Sequence, residues 1–135
     1  KTMKKVFTQL FVIFIFSLIA CDLEKEIDID NEWIAASIKL ENGDFMTPTS
    51  NYNFILENNN QFSLQLDINR CGGNVYFKTK TVEFKNGIAC TKACCDSEFA
   101  IALVTNISTS KKWEIISNQL IFTNDAGLKI IFEKK

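Results

Sequence analysis

The chain has 135 residues, of which 47% are hydrophobic and 23% are charged, with a formal net charge of −1 and no histidine. This balance fits one small globular domain and excludes a disordered or fibrous chain. The lack of histidine excludes Ser-His and Cys-His catalysis, and the lack of a block of basic residues argues against nucleic-acid binding.

The first 20 residues have the layout of a secretory signal peptide. Lysines come first, an apolar run occupies 10–16, and Ser17 and Ala20 precede Cys21. A charged segment, an apolar segment and a cleavage site in this order predict a signal peptide at 1–20, with Met3 as the expected start. Its removal leaves 12 basic and 16 acidic residues, so the remaining chain is mildly acidic.

The end of this segment, Leu18-Ile19-Ala20-Cys21, resembles the bacterial lipobox. The resemblance implies that Cys21 carries lipid, such as palmitate, and becomes the mature N-terminus of a protein anchored in the bacterial cell envelope, with the outer membrane as the expected site. Acyl chains anchor a protein by burying CH₂ groups, at about 0.8 kcal/mol each. The alternative is an ordinary cleaved signal followed by an incidental cysteine. Residues 21–31 alternate acids with aliphatics and are predicted to be an acidic tether.

From Glu32 onward the apolar residues recur with a period close to two, which predicts antiparallel strands. We expect strands at 33–40, 52–56, 61–67, 75–77 and 81–84. The clearest is the strand at 61–67, whose apolar residues all fall on one face. Paired glycines predict a bend at Cys71-Gly72-Gly73-Asn74, and Lys85-Asn86-Gly87 is predicted to be a turn leading into 88–90.

One helix is predicted at 99–104, ending near Asn106, with Asp96 or Ser97 as its N-cap. Strands at 112–116, 120–123 and 128–132 follow it. Short strands, polar turns and one helix predict a single all-β domain at 32–135, built as a small antiparallel barrel or a strongly curved sheet. We expect its core to include the phenylalanines at alternating strand positions, namely Phe54, Phe62, Phe77, Phe84 and Phe122.

Four cysteines remain after Cys21: Cys71, Cys90, Cys94 and Cys95. In an oxidising exported compartment an even set favours a disulfide framework. Because adjacent cysteines rarely bond to each other, we expect Cys94 and Cys95 each to bond to one of Cys71 and Cys90. A four-thiolate metal site is the alternative, but the paired Cys-x-x-Cys spacing of zinc sites is lacking, so we expect no metal and no cofactor.

The order of features resembles the META domain, a family that includes the heat-inducible HslJ-type outer-membrane lipoproteins. The matching features are the opening strand with Trp33, Cys71-Gly72-Gly73-Asn74 ahead of an aromatic, the Thr91-x-x-x-Cys95 element, an acidic residue opening a helix, and two closing strands. The resemblance covers roughly 32–132 and implies a compact lipocalin-like barrel without an assigned activity. Around Cys71 the sequence departs from the family, whose members more often have the motif Gly-Cys-Asn there. It also adds Cys90 and Cys94. No functional residue is carried over.

These observations predict an exported envelope lipoprotein whose META-like domain is a non-catalytic binding or interaction module. Its expected partners are the membrane, through the lipid on Cys21, and either an envelope protein or a small apolar ligand. The second candidate is a structural protein that stabilises the envelope under stress. The third is a small-ligand-binding barrel or an enzyme of unknown class. A ligand-binding barrel predicts an apolar internal pocket, whereas a structural module predicts a filled interior. No carboxylate pair is marked as an acid/base couple, so no catalytic residue is predicted.

Overall fold

The structure is a computed structural model that describes residues 32–57 and 60–135. The predicted signal peptide at 1–20, the proposed lipidation site Cys21 and the tether at 21–31 lie outside the described residues. Asn58 and Asn59, between the predicted strands at 52–56 and 61–67, also lie outside them. The domain predicted to start at residue 32 is therefore the part described below.

Nine strands and one helix occupy these residues. In chain order they are β1 (Glu32–Lys39), β2 (Phe45–Met46), β3 (Asn53–Glu57), β4 (Gln61–Gln65), β5 (Arg70–Phe77), β6 (Val82–Cys90), α1 (Glu98–Ser108), β7 (Ser110–Ile116), β8 (Gln119–Asn124) and β9 (Lys129–Lys134). Within this part of the chain, no helix has both the length and the apolar character needed to cross a membrane.

All nine strands belong to one antiparallel sheet that curls into an open half-barrel. The strand order is β6-β5-β4-β3-β1-β9-β8-β7, with β2 paired to β1. The two outer strands approach each other near the β5–β6 hairpin, where Thr81 bridges Lys112 and the Trp113 Nε1–H donates to the Lys78 carbonyl at 2.7 Å. The prediction of an all-β fold with one helix is confirmed, in the form of a strongly curved sheet.

The concave face of the sheet is filled by aromatic side chains from eight of the nine strands, all except β2. Phe122 lies at the centre, with ring centroids 5.7 Å from Phe54, 5.7 Å from Phe84 and 5.8 Å from Phe132. The five phenylalanines predicted for the core all lie in it or pack against it. Alternation along each strand explains this, because every second side chain points to the same face.

The helix α1 begins at Glu98 after the N-cap Ser97, whose Oγ accepts a hydrogen bond from the Ala100 N–H at 3.2 Å. Its apolar face is buried against the sheet through Phe99, Leu103 and other residues at helical spacing, and it contacts β6 and β9. The predicted helix and one of its two proposed N-caps are thus confirmed. The observed helix is longer than predicted, because it starts one residue earlier and ends at Ser108.

The predicted bend at 71–74 and the predicted turn at 85–87 are both wrong. β5 passes through Gly72 and Gly73 as a strand, and β6 is continuous, with a bulge that places residues 86–88 opposite Gly73. Asn86 and Gly87 take positive φ values of 60° and 77° inside this bulge. A Cβ on Gly73 would lie 3.0 Å from the Gly87 carbonyl oxygen, so the glycine serves close strand approach here rather than a change of direction.

Candidate functional site

A disulfide joins Cys71 on β5 to Cys90 on β6. The two residues are direct partners in the antiparallel register, and their Cα atoms lie 4.0 Å apart. Cys71 is 2% exposed, so half of this bridge is shielded from solvent. The prediction that Cys71 and Cys90 take part in a disulfide is confirmed, but the predicted partners, Cys94 and Cys95, are wrong.

The predicted pairing assumed that all four cysteines are bridged and that adjacent cysteines do not bond to each other, so it placed Cys71 and Cys90 in separate disulfides. In the structure, the bulge in β6 absorbs the extra residues, so the strand returns beside β5 and brings Cys90 opposite Cys71. The hydrophobic pattern does not distinguish a turn from a bulge here, because both use Asn-Gly.

The segment 91–97, called the cysteine loop below, connects this disulfide to α1. It is held by Asn69, which is 6% exposed. The Asn69 Oδ1 accepts hydrogen bonds from the Thr91 hydroxyl and the Ala93 N–H, both at 2.8 Å. The Asn69 Nδ2 donates to the Ala93 carbonyl at 2.8 Å and to Asp96 Oδ2 at 2.6 Å. One buried amide therefore fixes the loop at three positions.

Two carboxylates complete the attachment of the cysteine loop. Asp96 Oδ1 accepts from the N–H groups of Ile68 at 3.0 Å and Asn69 at 3.3 Å. Asp67 accepts from the Ser97 N–H at 2.9 Å and from the hydroxyl of the fully buried Tyr52 at 2.8 Å. Each carboxylate bonds across the gap between the β4–β5 connection and the start of α1, so the loop is tied at both ends.

These contacts set the charge state of the two carboxylates. The backbone hydrogen bond from Ser97 is the main cause that lowers the pKa of Asp67, with further hydrogen bonds from the Ser97 and Tyr52 hydroxyls. Burial acts to raise the pKa of Asp96, but hydrogen bonds from Asn69 and from the backbone of Ile68 outweigh it, and the net pKa is lowered. Both groups are therefore ionised at neutral pH and act as acceptors that hold the loop.

Cys94 and Cys95 lie at the exposed tip of the cysteine loop and are free thiols. Cys95 has a φ of +86°, and the turn this produces brings its Sγ to 2.7 Å from the Cys94 Sγ, to which it donates a hydrogen bond. The hydrogen bond with Cys94 is the main cause that raises the pKa of the Cys95 thiol, with smaller contributions from burial and the Asp96 charge.

The residues that hold the loop were missed in the sequence. Asn69 was not singled out, and Asp67 and Tyr52 were assigned only to predicted strands. The one available signal is Asp67-Ile68-Asn69 directly after a strand, since Asp and Asn side chains commonly bond to nearby backbone groups in turns. Among the described residues, no three His, Cys, Asp or Glu side chains are placed to hold a metal ion. The carboxylates of this site accept hydrogen bonds from neighbouring protein groups.

The chain matches no protein-family model and no curated protein sequence. Solved structures share its fold. A protein from Burkholderia xenovorans, solved by NMR, aligns with a TM-score of 0.66 at 16% identity over 78% of this chain and 82% of its own. A crystal structure of a DUF4847 family protein from Bacteroides vulgatus aligns with a TM-score of 0.59 at 12% identity over 80% of this chain and 94% of its own. At such identities the likeness shows a common fold alone.

Proposed function

We propose that this chain is a lipid-anchored, exported protein of the bacterial envelope whose half-barrel domain is a non-catalytic interaction module for another envelope protein. The anchor is supported by Leu18-Ile19-Ala20-Cys21, which resembles a lipobox at the end of a signal peptide. The mode of interaction is supported by the filled interior of the sheet, which is the observation that carries the proposal.

The interior argues against a small apolar ligand held inside the sheet. Phe54, Phe122 and Phe132 have no exposed surface, and the Phe54 and Phe132 ring centroids are 5.2 Å apart. Sites for small molecules are clefts of about 300–1,000 Å³ lined by apolar groups. Rings in mutual contact occupy the place where such a cleft would lie, so recognition falls to the outer surface of the domain.

The META-like assignment is part of the same proposal. It is supported by the order of features along the chain, from the Trp33 strand to the two closing strands β8 and β9. Lipoproteins of this kind reach a partner while tethered to a membrane, which raises the effective concentration of a weakly binding domain.

The anchor is tested by metabolic labelling with an alkyne analogue of palmitate, followed by membrane fractionation. Cys21→Ser is expected to abolish labelling and to release the protein from the membrane fraction, or to leave it unprocessed. Cys94→Ser is the matched control, because it makes the same cysteine-to-serine change within the described domain and is expected to keep both label and location. A Cys21→Ser protein that still carries label would contradict the proposal.

The interaction role is tested by native mass spectrometry of the protein purified from its own membrane in mild detergent. We expect a protein partner and no stoichiometric small molecule. An apolar molecule recovered at one per chain would contradict the filled interior. Loss of envelope integrity on deletion of the gene, with no partner bound, would favour the structural alternative.

A further inference from the structure

The exposed cysteine pair is a chemical feature that neither the core nor the proposed interaction role uses. Cys94 and Cys95 are both exposed and free, whereas Cys71 of the disulfide is buried. Their sulfur atoms lie 2.7 Å apart. Redox-sensitive cysteines are accessible to solvent and often lie next to a second, resolving cysteine.

The loop that carries the pair is held on both sides of it. Ala93, directly before Cys94, bonds to the Asn69 side chain through both its N–H and its carbonyl. Asp96, directly after Cys95, accepts from the same side chain and from two backbone N–H groups. Because both flanks are fixed to a buried residue, the two thiols stay together, and attack of one on a group bound to the other is intramolecular.

We propose that Cys94 and Cys95 form a thiol–disulfide exchange site that reacts with small organic disulfides and closes reversibly to a Cys94–Cys95 disulfide, a bond that adjacent cysteines rarely form but that the 2.7 Å separation of these two sulfur atoms favours. In the first step, the Cys94 thiolate attacks one sulfur of the organic disulfide. This forms a mixed disulfide and releases one thiolate, which takes up the proton lost by Cys94. In the second step, the Cys95 sulfur attacks the Cys94 Sγ, and the second organic thiol leaves with the proton from Cys95. Two protein thiols are oxidised and one organic disulfide is reduced to two thiols.

The order of the two cysteines follows from their hydrogen bond. The Cys95 thiol donates to the Cys94 Sγ, and the pKa of Cys95 is raised, chiefly by that bond. Because the Cys94 sulfur is the acceptor of this bond and the Cys95 sulfur is the donor, we assign Cys94 as the attacking thiol and Cys95 as the resolving thiol. The site works on residues of the described loop alone, so it stands whether or not Cys21 is lipidated.

The test uses the full chain with Cys21→Ser, in mild detergent, titrated with mixtures of reduced and oxidised glutathione. Free thiols are then blocked with N-ethylmaleimide and each cysteine peptide is quantified by mass spectrometry. As the mixture becomes more oxidising, we expect Cys94 and Cys95 to stop reacting with N-ethylmaleimide together and to react with it again on reduction, while Cys71–Cys90 stays oxidised throughout. If both thiols remain free across the range, or if each carries its own glutathione, the proposal is wrong.

Single substitutions separate the two roles. Cys95→Ser is expected to trap glutathione on Cys94 and to slow its release roughly tenfold or more, because the intramolecular attack is lost. Wild-type protein quenched early in the reaction is expected to carry glutathione on Cys94. Glutathione found first on Cys95, or release from Cys94 at the wild-type rate in Cys95→Ser, would overturn the assignment of attacking and resolving thiols.

A second measurement does not depend on oxidation. Phenylarsine oxide condenses with two neighbouring thiols to a cyclic dithioarsenite and releases one water. We expect one arsenical per wild-type chain, displaced by dithiothreitol and not by a monothiol, and no stable binding to either single serine variant. Wild-type protein that binds no more tightly than those variants would show that the two sulfur atoms do not act as a pair.

Discussion

Removal of the Cys71–Cys90 disulfide is expected to lower the free energy of unfolding substantially. The bridge spans a sequence separation of 19, and on the chain-entropy model a loop of that size contributes about 3 kcal/mol. A small domain is stable by only about 5–15 kcal/mol in total. Cys71→Ala/Cys90→Ala should therefore shift the urea midpoint markedly downwards while leaving the folded spectrum in place.

The matched control is Cys94→Ala/Cys95→Ala, compared in the same Cys21→Ser background by urea unfolding with circular dichroism. Both residues are exposed and free, so the expected change is within about 0.5 kcal/mol. Adding dithiothreitol should bring wild type down to the level of the Cys71/Cys90 variant. Equal destabilisation by the two double variants would refute the observed pairing, since it would mean that the loop cysteines bond to Cys71 and Cys90.

Three further changes test the core and the cysteine loop. Phe122→Ala is expected to lower the free energy of unfolding by about 3–5 kcal/mol in urea, because it empties the centre of the aromatic core. Phe45→Ala, at a side chain that is 57% exposed, should lower it little. Similar losses of stability at both sites would contradict the core assignment. Asn69→Ala is expected to cost about 2–4 kcal/mol and to speed amide hydrogen exchange in 91–97, because it leaves buried donors and acceptors without partners; unchanged exchange would show that the loop is held by other groups. Asp67 and Asp96 have lowered pKa values in the folded state, so both stabilise the fold when they are ionised. This stabilisation is fully present above the unfolded-state pKa of roughly 3.9, and it is lost as the pH falls from there through the pKa values of the folded state. Acid unfolding of Asp67→Asn/Asp96→Asn should accordingly depend less steeply on pH than that of wild type, and an unchanged slope would contradict the lowered pKa values.

The regular part of the fold could be predicted from the sequence because it depends on local pattern. Alternation along 61–67 places Phe62 on the core face, and Ser97 is an N-cap by its side chain alone. β2 was not predicted, since a strand of two residues has no period to detect.

The candidate site depends on contacts between distant residues, and local pattern does not encode them. The bulge at Asn86-Gly87 and a turn at the same residues have the same composition, and only the neighbouring strand decides between them. Asn69 bonds to residues 22 to 27 positions away. The convergence of the Cys94 and Cys95 sulfurs requires the positive φ of Cys95, which the surrounding hydrogen bonds impose on a residue that rarely adopts it.

We infer that the five cysteines have three separate roles: anchor, structural bridge and surface thiol pair. Peptide mapping by mass spectrometry, without reduction and on the full chain isolated from a bacterial membrane, tests all three in one experiment. We expect an acylated Cys21 at the mature N-terminus, one cross-linked peptide pair joining Cys71 to Cys90, and Cys94 and Cys95 either both free or bonded to each other. An unmodified Cys21, or any bridge from Cys94 or Cys95 to Cys71 or Cys90, would contradict it.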